Sequence, residues 1–227
     1  MIPAALQPFL AGIVNLTCQG NSSSALNTLN LSDERDESEW TGTGILTFRP
    51  SNAAMVYASY SRGYKAGGFN LDRSALGQPI FAPGDPRQFG GRNPGFNTGN
   101  LQFDPEIVDA YEVGFKWTRR YFTLNVAAFR QLFENFQLNT FNGLNFIVEN
   151  INSCKDDLAG ADMDNNAATG ACTGGTEAGV RSQGVEVELF TRPMPFLDLN
   201  AGVTYADTKY RDNLVGSDGK ALTPVLF

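Results

Sequence analysis

Residues 121–141 alternate with a two-residue period, and this alternation constrains the fold more than any other feature of the chain. The even positions are mostly apolar and include Phe122, Leu124, Val126, Ala128, Leu132, Phe136 and Leu138. The odd positions are mostly amides and hydroxyls, among them Thr123, Asn125, Gln131, Asn135, Gln137 and Asn139. Because successive side chains of a strand point to opposite faces, the pattern predicts one long strand between two unlike environments.

Two charges on the apolar face of this strand indicate what lies against it. A transmembrane strand needs about 9 to 11 residues. An arginine facing lipid costs roughly 2 to 4 kcal/mol at the bilayer centre but about 0 to 1 kcal/mol at the interface. We therefore expect residues 122–128 to lie in lipid, Arg130 at the headgroup boundary and Glu134 beyond it. A soluble β-sandwich with one wet face would show the same alternation.

Composition excludes several classes of protein. The net charge of -7 argues against nucleic-acid binding, which needs clustered Lys and Arg. With no histidine in the chain, the usual zinc sites and histidine-dependent catalytic triads are excluded. The sequence also contains no long uninterrupted apolar run, so no transmembrane helix is predicted, whereas barrel strands are individually modest in hydropathy.

The same alternation recurs along the chain, and its connections differ in length. Further strands are predicted at residues 40–49, 55–64, 107–117, 146–151, 180–191 and 197–205. Short turns occupy residues 50–52, 118–120 and 192–195, whereas long polar stretches surround Gly67, Cys154 and Asp212. In an up-and-down sheet the short turns meet at one end, as in outer-membrane barrels. The predicted fold is all-β, with about six antiparallel up-and-down strands forming part of a large transmembrane β-barrel.

The N-terminal segment does not resemble a leader sequence. Residues 1–10 lack a basic region followed by a sustained apolar stretch, and residues 2–39 form a predicted polar loop that carries Cys18. Three cysteines leave one without a partner within the chain. We therefore expect this chain to be an interior piece of a longer protein.

Four motifs identify a family. Residues 56–70 read VYASYSRGYKAGGFN and resemble the segment YASYSxGYKxGGFN of TonB-dependent outer-membrane receptors. Pro105 and Glu106 with residues 111–116 resemble the PExxxxYExGxK strand of that family. Residues 125–137 resemble NxAxFxxxxxxxQ, and residues 184–188 resemble GxExE. The motifs follow the family order from about residue 40 to residue 210, and the subtype is similar to siderophore receptors.

This resemblance implies a fold, a location and partners. Family members are 22-stranded barrels in the Gram-negative outer membrane, occluded by a plug, which import scarce nutrients with energy from TonB. Residues 1–227 would then be a partial barrel domain without plug, TonB box or closing strands. The implied partners are outer-membrane lipid, TonB through the absent N-terminal region, and a small-molecule or chelate ligand such as a ferric siderophore. A soluble β-sandwich module that binds glycans is the alternative.

The resemblance also directs attention to two groups of residues. A cationic and aromatic cluster for an anionic ferric chelate would comprise Arg62, Tyr64, Lys65, Arg87 and Arg92. The same residues could instead line a wet rim. Cys154 and Cys172 flank a polar insertion outside the cell, where a disulfide would form, unless they are two unrelated thiols.

Neither a metal site nor catalysis is predicted, and no cofactor is expected. The insertion carries the oxygen-bearing residues Asp156, Asp157, Asp162, Asp164 and Asn166. Ala167 and Thr173 replace the glycine and glutamate that a calcium loop requires, so a solvated acidic loop is favoured. By parity, the lumen is lined by Glu112, Lys116, Glu186 and Glu188. A pair such as Glu186 and Glu188 can serve acid-base catalysis, but it more commonly lines a wet interior.

Overall fold

The computed structural model describes residues 32–71, 98–141, 146–155, 172, 175–217 and 219, which form twelve strands and one short 3-10 turn, Thr98–Leu101. The strands are β1 Gly42–Ser51, β2 Ala54–Lys65, β3 Gly68–Phe69, β4 Gln102–Phe103, β5 Glu106–Arg119, β6 Phe122–Glu134, β7 Phe136–Phe141, β8 Phe146–Cys154, β9 Thr176–Ala178, β10 Val180–Met194, β11 Leu197–Tyr210 and β12 Leu214–Val215. Within these residues, no helix has the length and apolar character needed to cross a membrane.

Six long strands form one antiparallel sheet in the order β1, β2, β5, β6, β10, β11. This confirms the expected up-and-down arrangement, because every pair of long strands that adjoins along the chain also adjoins in space. The apolar side chains of the sheet are uncovered: Leu46 is 76% exposed, Val203 73% and Tyr205 71%. A β-sandwich would bury such residues behind a second sheet. The fold is that of a barrel wall.

The strand register gives the sheet two unlike faces. One row of directly opposed residues crosses all six strands as Phe48, Val56, Phe115, Val126, Val187 and Val203. The adjacent row on the other face is Thr47, Tyr57, Gly114, Ala127, Glu186 and Thr204. We call these the apolar face and the polar face. In membrane barrels the apolar face contacts lipid and the polar face lines the lumen.

The apolar rows end where the charge pattern predicts. Arg130 is exposed and lies opposite Tyr111, which is opposite Tyr60 in turn. The two tyrosine rings have centroids 5.2 Å apart. Aromatic side chains are enriched at the membrane-water interface. This row therefore marks the outer boundary of the lipid-facing surface.

The prediction of a single strand over residues 121–141 was wrong beyond Glu134. Strand β6 ends there, and Asn135 adopts a left-handed backbone conformation with φ of 50°. Asparagine tolerates this conformation better than most residues. The backbone N–H of Asn135 donates to the Asn152 side chain at 2.7 Å, which holds the break in place. The chain then leaves the large sheet as β7 and pairs with β8.

Strands β7, β8, β9 and β12 form a smaller sheet at the long-loop end, which we call the loop base. Three of its apolar side chains, Ile151, Ala178 and Val215, are buried, and so is Cys154 at the end of β8. The six-stranded sheet contributes only Val180, at the start of β10, to the buried apolar residues of the described chain. The packed core therefore lies in the loop base rather than in the barrel wall.

Asn70, the last residue of the GGFN motif, connects β2 to the loop base. Its side chain donates to the Val148 carbonyl at 2.9 Å and accepts from the Val148 amide at 2.7 Å. The buried Asn70 side chain thus pairs with β8 as a backbone peptide would. Gly67 of the same motif has no room for a side chain, because a Cβ would overlap the Glu37 carboxylate and the Phe103 carbonyl.

Three further buried polar side chains attach the loop base to the large sheet. Asn150 accepts from the Asp104 amide at 2.6 Å and donates to the carbonyls of Asp104 at 2.9 Å and Asn135 at 2.8 Å. Asn152 accepts from the amide of Asn135, and Glu106 accepts from the amide of Gln137 at 2.8 Å. Because a buried polar group without a partner costs about 1 to 3 kcal/mol, these bonds favour this one geometry.

Substitution of Asn70 tests this attachment. Asn70→Ala removes both bonds to Val148 and leaves its backbone groups without those partners. We expect hydrogen exchange at the Val148 amide to accelerate by about 5- to 150-fold, as a loss of roughly 1 to 3 kcal/mol implies. The matched control is Asn139→Ala, at an exposed position on β7. Unchanged exchange in the Asn70 variant would contradict the role given to its side chain.

The assignment of the two faces is tested on adjacent residues of β6. Leu124 lies on the apolar face, opposite Trp117 and Leu189, and Asn125 lies on the polar face, opposite Lys116 and Glu188. A spin label at Leu124 should be relaxed by oxygen dissolved in lipid, and one at Asn125 by a water-soluble nickel chelate. The reverse result would exchange the two faces.

Candidate functional site

Arg62, predicted to contact a ligand, is engaged within the protein. Its Nη1 lies 2.9 and 3.0 Å from the two carboxylate oxygens of Asp109. The Tyr60 hydroxyl donates to the same carboxylate at 2.7 Å, and the guanidinium lies 5.1 Å from the Trp40 ring. The charge of Arg62 is thus neutralised on the apolar face, one row beyond the aromatic boundary.

The other predicted ligand-binding residues are placed differently. Tyr64 lies opposite Ile107 on the same face as Arg62, whereas Lys65 lies opposite Glu106 on the polar face. Both side chains are exposed at the upper end of β2. Arg87 and Arg92 lie outside the described residues. The structure therefore brings Tyr64 and Lys65 to one strand end but on opposite faces, and a ligand-binding role for the five residues stays a prediction.

The polar face carries carboxylates at mid-height. As parity predicts, Glu112, Lys116, Glu186 and Glu188 all lie on this face. Glu112 accepts from the Tyr57 hydroxyl at 2.6 Å, and the Lys116 ammonium lies 5.9 Å from the Tyr57 ring. Glu188 accepts from the Asn125 side chain at 3.2 Å. Three carboxylates and one ammonium give this inner wall an excess of negative charge.

Two glycines of the family motifs allow aromatic rings to lie on this wall. Gly114 is opposite Tyr57, and Gly184 is opposite Phe129. At each glycine, an added Cβ would overlap the ring of the opposed residue. An aromatic ring packed over a cross-strand glycine supplies the contact that the glycine lacks. These motif residues therefore shape the inner wall.

The structure joins Cys154 and Cys172 by a disulfide, with Cα atoms 5.5 Å apart. Cys154 is buried at the end of β8, and its amide donates to the Asn213 carbonyl at 2.9 Å. The Cys172 amide donates to the Gly219 carbonyl at 2.7 Å. The bridge therefore fastens both ends of the intervening insertion to the loop base.

The oxygen-bearing residues of the insertion, between Asp156 and Asn166, lie outside the described residues, as do Ala167 and Thr173. Among the residues that are described, no three side chains are grouped so as to hold a metal ion.

Arg35 is a structural residue that the sequence analysis missed. Its guanidinium donates to Glu37 at 2.6 Å, to Asp104 at 2.7 Å and to Gln102 at 3.2 Å. The hydrogen bond to Asp104 raises the pKa of Arg35 above its ordinary value. Glu37 in turn accepts from the Gly67 amide at 3.1 Å. In the sequence, Arg35 stands in the charged run DERDE, which has the composition of a solvated loop. Only its partners, far along the chain, show that it fastens the segment before β1 to the loop end.

Three comparisons with known proteins bear on this architecture. The sequence profile of a family described as TonB dependent receptor-like, beta-barrel, matches residues 19–225. No curated protein matches the chain in sequence.

The chain is also similar to segments of solved structures. The ferric yersiniabactin uptake receptor of Yersinia pestis is 16% identical, with a TM-score of 0.46 over 77% of this chain and 19% of that one. The alcaligin outer-membrane receptor of Bordetella pertussis is 14% identical, with a TM-score of 0.45 over 83% of this chain and 24% of that one. This chain thus spans less than a quarter of the length of either protein.

The profile covers nearly the whole chain, and the six-stranded antiparallel sheet with its apolar and polar faces has the architecture of a segment of such a barrel. The chain therefore belongs to the TonB-dependent receptor-like β-barrel family of the Gram-negative outer membrane.

Proposed function

We propose that this chain forms part of the barrel of a receptor that takes up a scarce nutrient across the outer membrane with energy supplied by TonB. The observation that carries the proposal is the loop base at the long-loop end of a two-faced sheet. The segment between Leu71 and Thr98 follows Asn70, whose side chain bonds to β8, and the insertion between Lys155 and Cys172 is closed by the disulfide at the end of β8. Loops held on a rigid scaffold are the usual carriers of binding function.

The proposed ligand is a ferric siderophore or a similar anionic chelate. Charge-assisted hydrogen bonds from cations and contact with aromatic rings suit such a ligand. Lys65 is exposed on the polar face where β2 enters the loop end, so it is the preferred contact of the predicted group, whereas Tyr64 is exposed on the opposite face. Arg87 and Arg92 belong to the same proposal, since their segment starts beside Asn70. We assign Arg62 a structural role, because its ion pair with Asp109 joins the ends of β2 and β5.

The partners follow from the two faces. The apolar face would contact outer-membrane lipid, and the acidic polar face would contact the plug that family members carry, through which TonB acts. Membership of a receptor-like family supports a role in transport. The carboxylates of the polar face are proposed to serve as a polar contact surface without catalytic chemistry.

Charge reversal at Lys65 tests the ligand proposal. In the protein expressed in its native outer membrane, Lys65→Glu should raise the concentration of ferric siderophore needed for half-maximal uptake by about tenfold or more, as loss of a charge-assisted hydrogen bond implies. Uptake of radiolabelled iron is measured with catecholate, hydroxamate and carboxylate siderophores. Arg49→Glu, at the short-turn end of β1, is the control. Uptake unchanged for every siderophore would count against Lys65 as a contact.

Removal of the disulfide tests whether the loop base supports uptake. A bridge that closes a loop of this length stabilises the native state by about 3 kcal/mol. In the variant with Cys154→Ser and Cys172→Ser, we expect faster protease cleavage near β8 and reduced uptake, with the amount of barrel in the membrane unchanged. Normal uptake together with faster cleavage would show that the loop base is dispensable for ligand capture.

A further inference from the structure

A notch lies at the short-turn end of the sheet, between two neighbouring turns. Because β6 pairs with β10, the turn from Arg119 to Phe122 lies beside the turn that joins β10 to β11. The Tyr121 carbonyl accepts from the Thr191 hydroxyl at 3.0 Å and from the Arg192 amide at 2.8 Å, which ties the two turns together. They enclose an open cavity of about 380 Å³.

The notch has an excess of positive charge. Arg192 forms a two-pronged pair with Asp198 at 2.5 and 2.7 Å, so these two charges cancel. Arg119 and Arg120 also line the cavity, and within the described part of the chain neither has a carboxylate at ion-pair distance. Their guanidinium groups lie 5.7 Å from the Trp117 ring and 5.2 Å from the Tyr121 ring. Two arginines thus lie against aromatic rings, and no carboxylate of the described residues pairs with them.

The wall of the notch continues into the lipid-facing surface. Phe122 and Leu199 line the cavity from the apolar face, and Phe190 lines it from the polar face. Phe122 and Leu199 belong to the first row of the apolar face, and Leu124 and Leu189 follow in the next row. Short turns of outer-membrane barrels lie on the periplasmic side. Arg119 and Arg120 therefore lie at the depth of the lipid headgroups of the periplasmic leaflet, directly below an apolar surface.

We propose that this notch binds an anionic phospholipid of the periplasmic leaflet. Arg119 and Arg120 pair with its phosphate, since a planar guanidinium matches phosphate geometry and loses little hydration energy on binding. The acyl chains lie along Phe122, Leu124 and Leu189. A water-soluble anion would leave the apolar wall uncovered. A second copy of the chain would bring its own cations to the same place.

Native mass spectrometry of the protein extracted from outer membranes into detergent tests the proposal, with dioleoyl phosphatidylglycerol as the probe. A basic side chain near an anionic lipid surface contributes a factor of about five in affinity, so Arg119→Gln and Arg120→Gln should each lower lipid retention about fivefold and the double variant about thirtyfold. Arg49→Gln removes an exposed arginine at the same end of the sheet and should leave retention unchanged.

Four other outcomes would overturn the proposal. Retention by the double variant equal to that of the unmodified protein would show that the two arginines do not hold the lipid. Equal loss in Arg49→Gln would indicate general charge attraction. Equal retention of dioleoylglycerol, which lacks phosphate, would show that the notch binds acyl chains without recognising the phosphate. Displacement of the lipid by glycerophosphoglycerol at similar concentration would make it a site for soluble phosphodiesters. If the double variant does not fold, the two single variants decide.

Discussion

The hydrogen-bonding needs of a backbone surrounded by lipid govern this structure. Within hydrocarbon every amide and carbonyl must find a partner in the protein, and a strand satisfies this only by pairing on both sides. In the described residues β2, β5, β6 and β10 pair on both sides through antiparallel ladders, whereas β1 and β11 each pair on one side and form the two edges of the sheet. The side chains of all six strands are sorted by parity between two environments. The barrel wall consequently needs almost no buried side chains, because lipid takes the place of a hydrophobic core.

Among the described residues, the packed core lies in the loop base, at the long-loop end of the sheet. In the loop base, a few apolar residues such as Ile151 and Val215 are buried. Asparagine side chains form hydrogen bonds to backbone groups that are not paired there by a strand ladder. Asn70, Asn150 and Asn152 each bond to backbone groups of a distant segment. The loop base is thus held by directional bonds and one disulfide, which fix geometry at the point where the long loops begin.

The long strands could be predicted from sequence because lipid and water impose an unambiguous period of two. That same period concealed the break at Asn135, since an amide at an odd position suits the polar face of a continuing strand equally well.

The network around Asn70 and Arg35 escaped prediction for a different reason. Its bonds join segments tens of residues apart, and neither periodicity nor local composition records such pairings. The candidate ligand residues were chosen for their charge and aromatic character, and neither property reveals that Arg62 already has Asp109 as its partner. The family motifs also contain residues with structural roles. Asn70 and Glu106 form hydrogen bonds to backbone groups, and Gly114 and Gly184 leave room for aromatic rings.

The aromatic rings packed over Gly114 and Gly184 have a consequence for the passage through such a barrel. A ring that occupies the space of a missing side chain lies along the wall instead of projecting from it. At the heights of Tyr57 and Phe129, in two neighbouring rows of the polar face, the wall is thin and comparatively smooth. A Cβ at either glycine would overlap the opposed ring and push it away from the sheet, so this smoothness depends on two backbone hydrogen atoms.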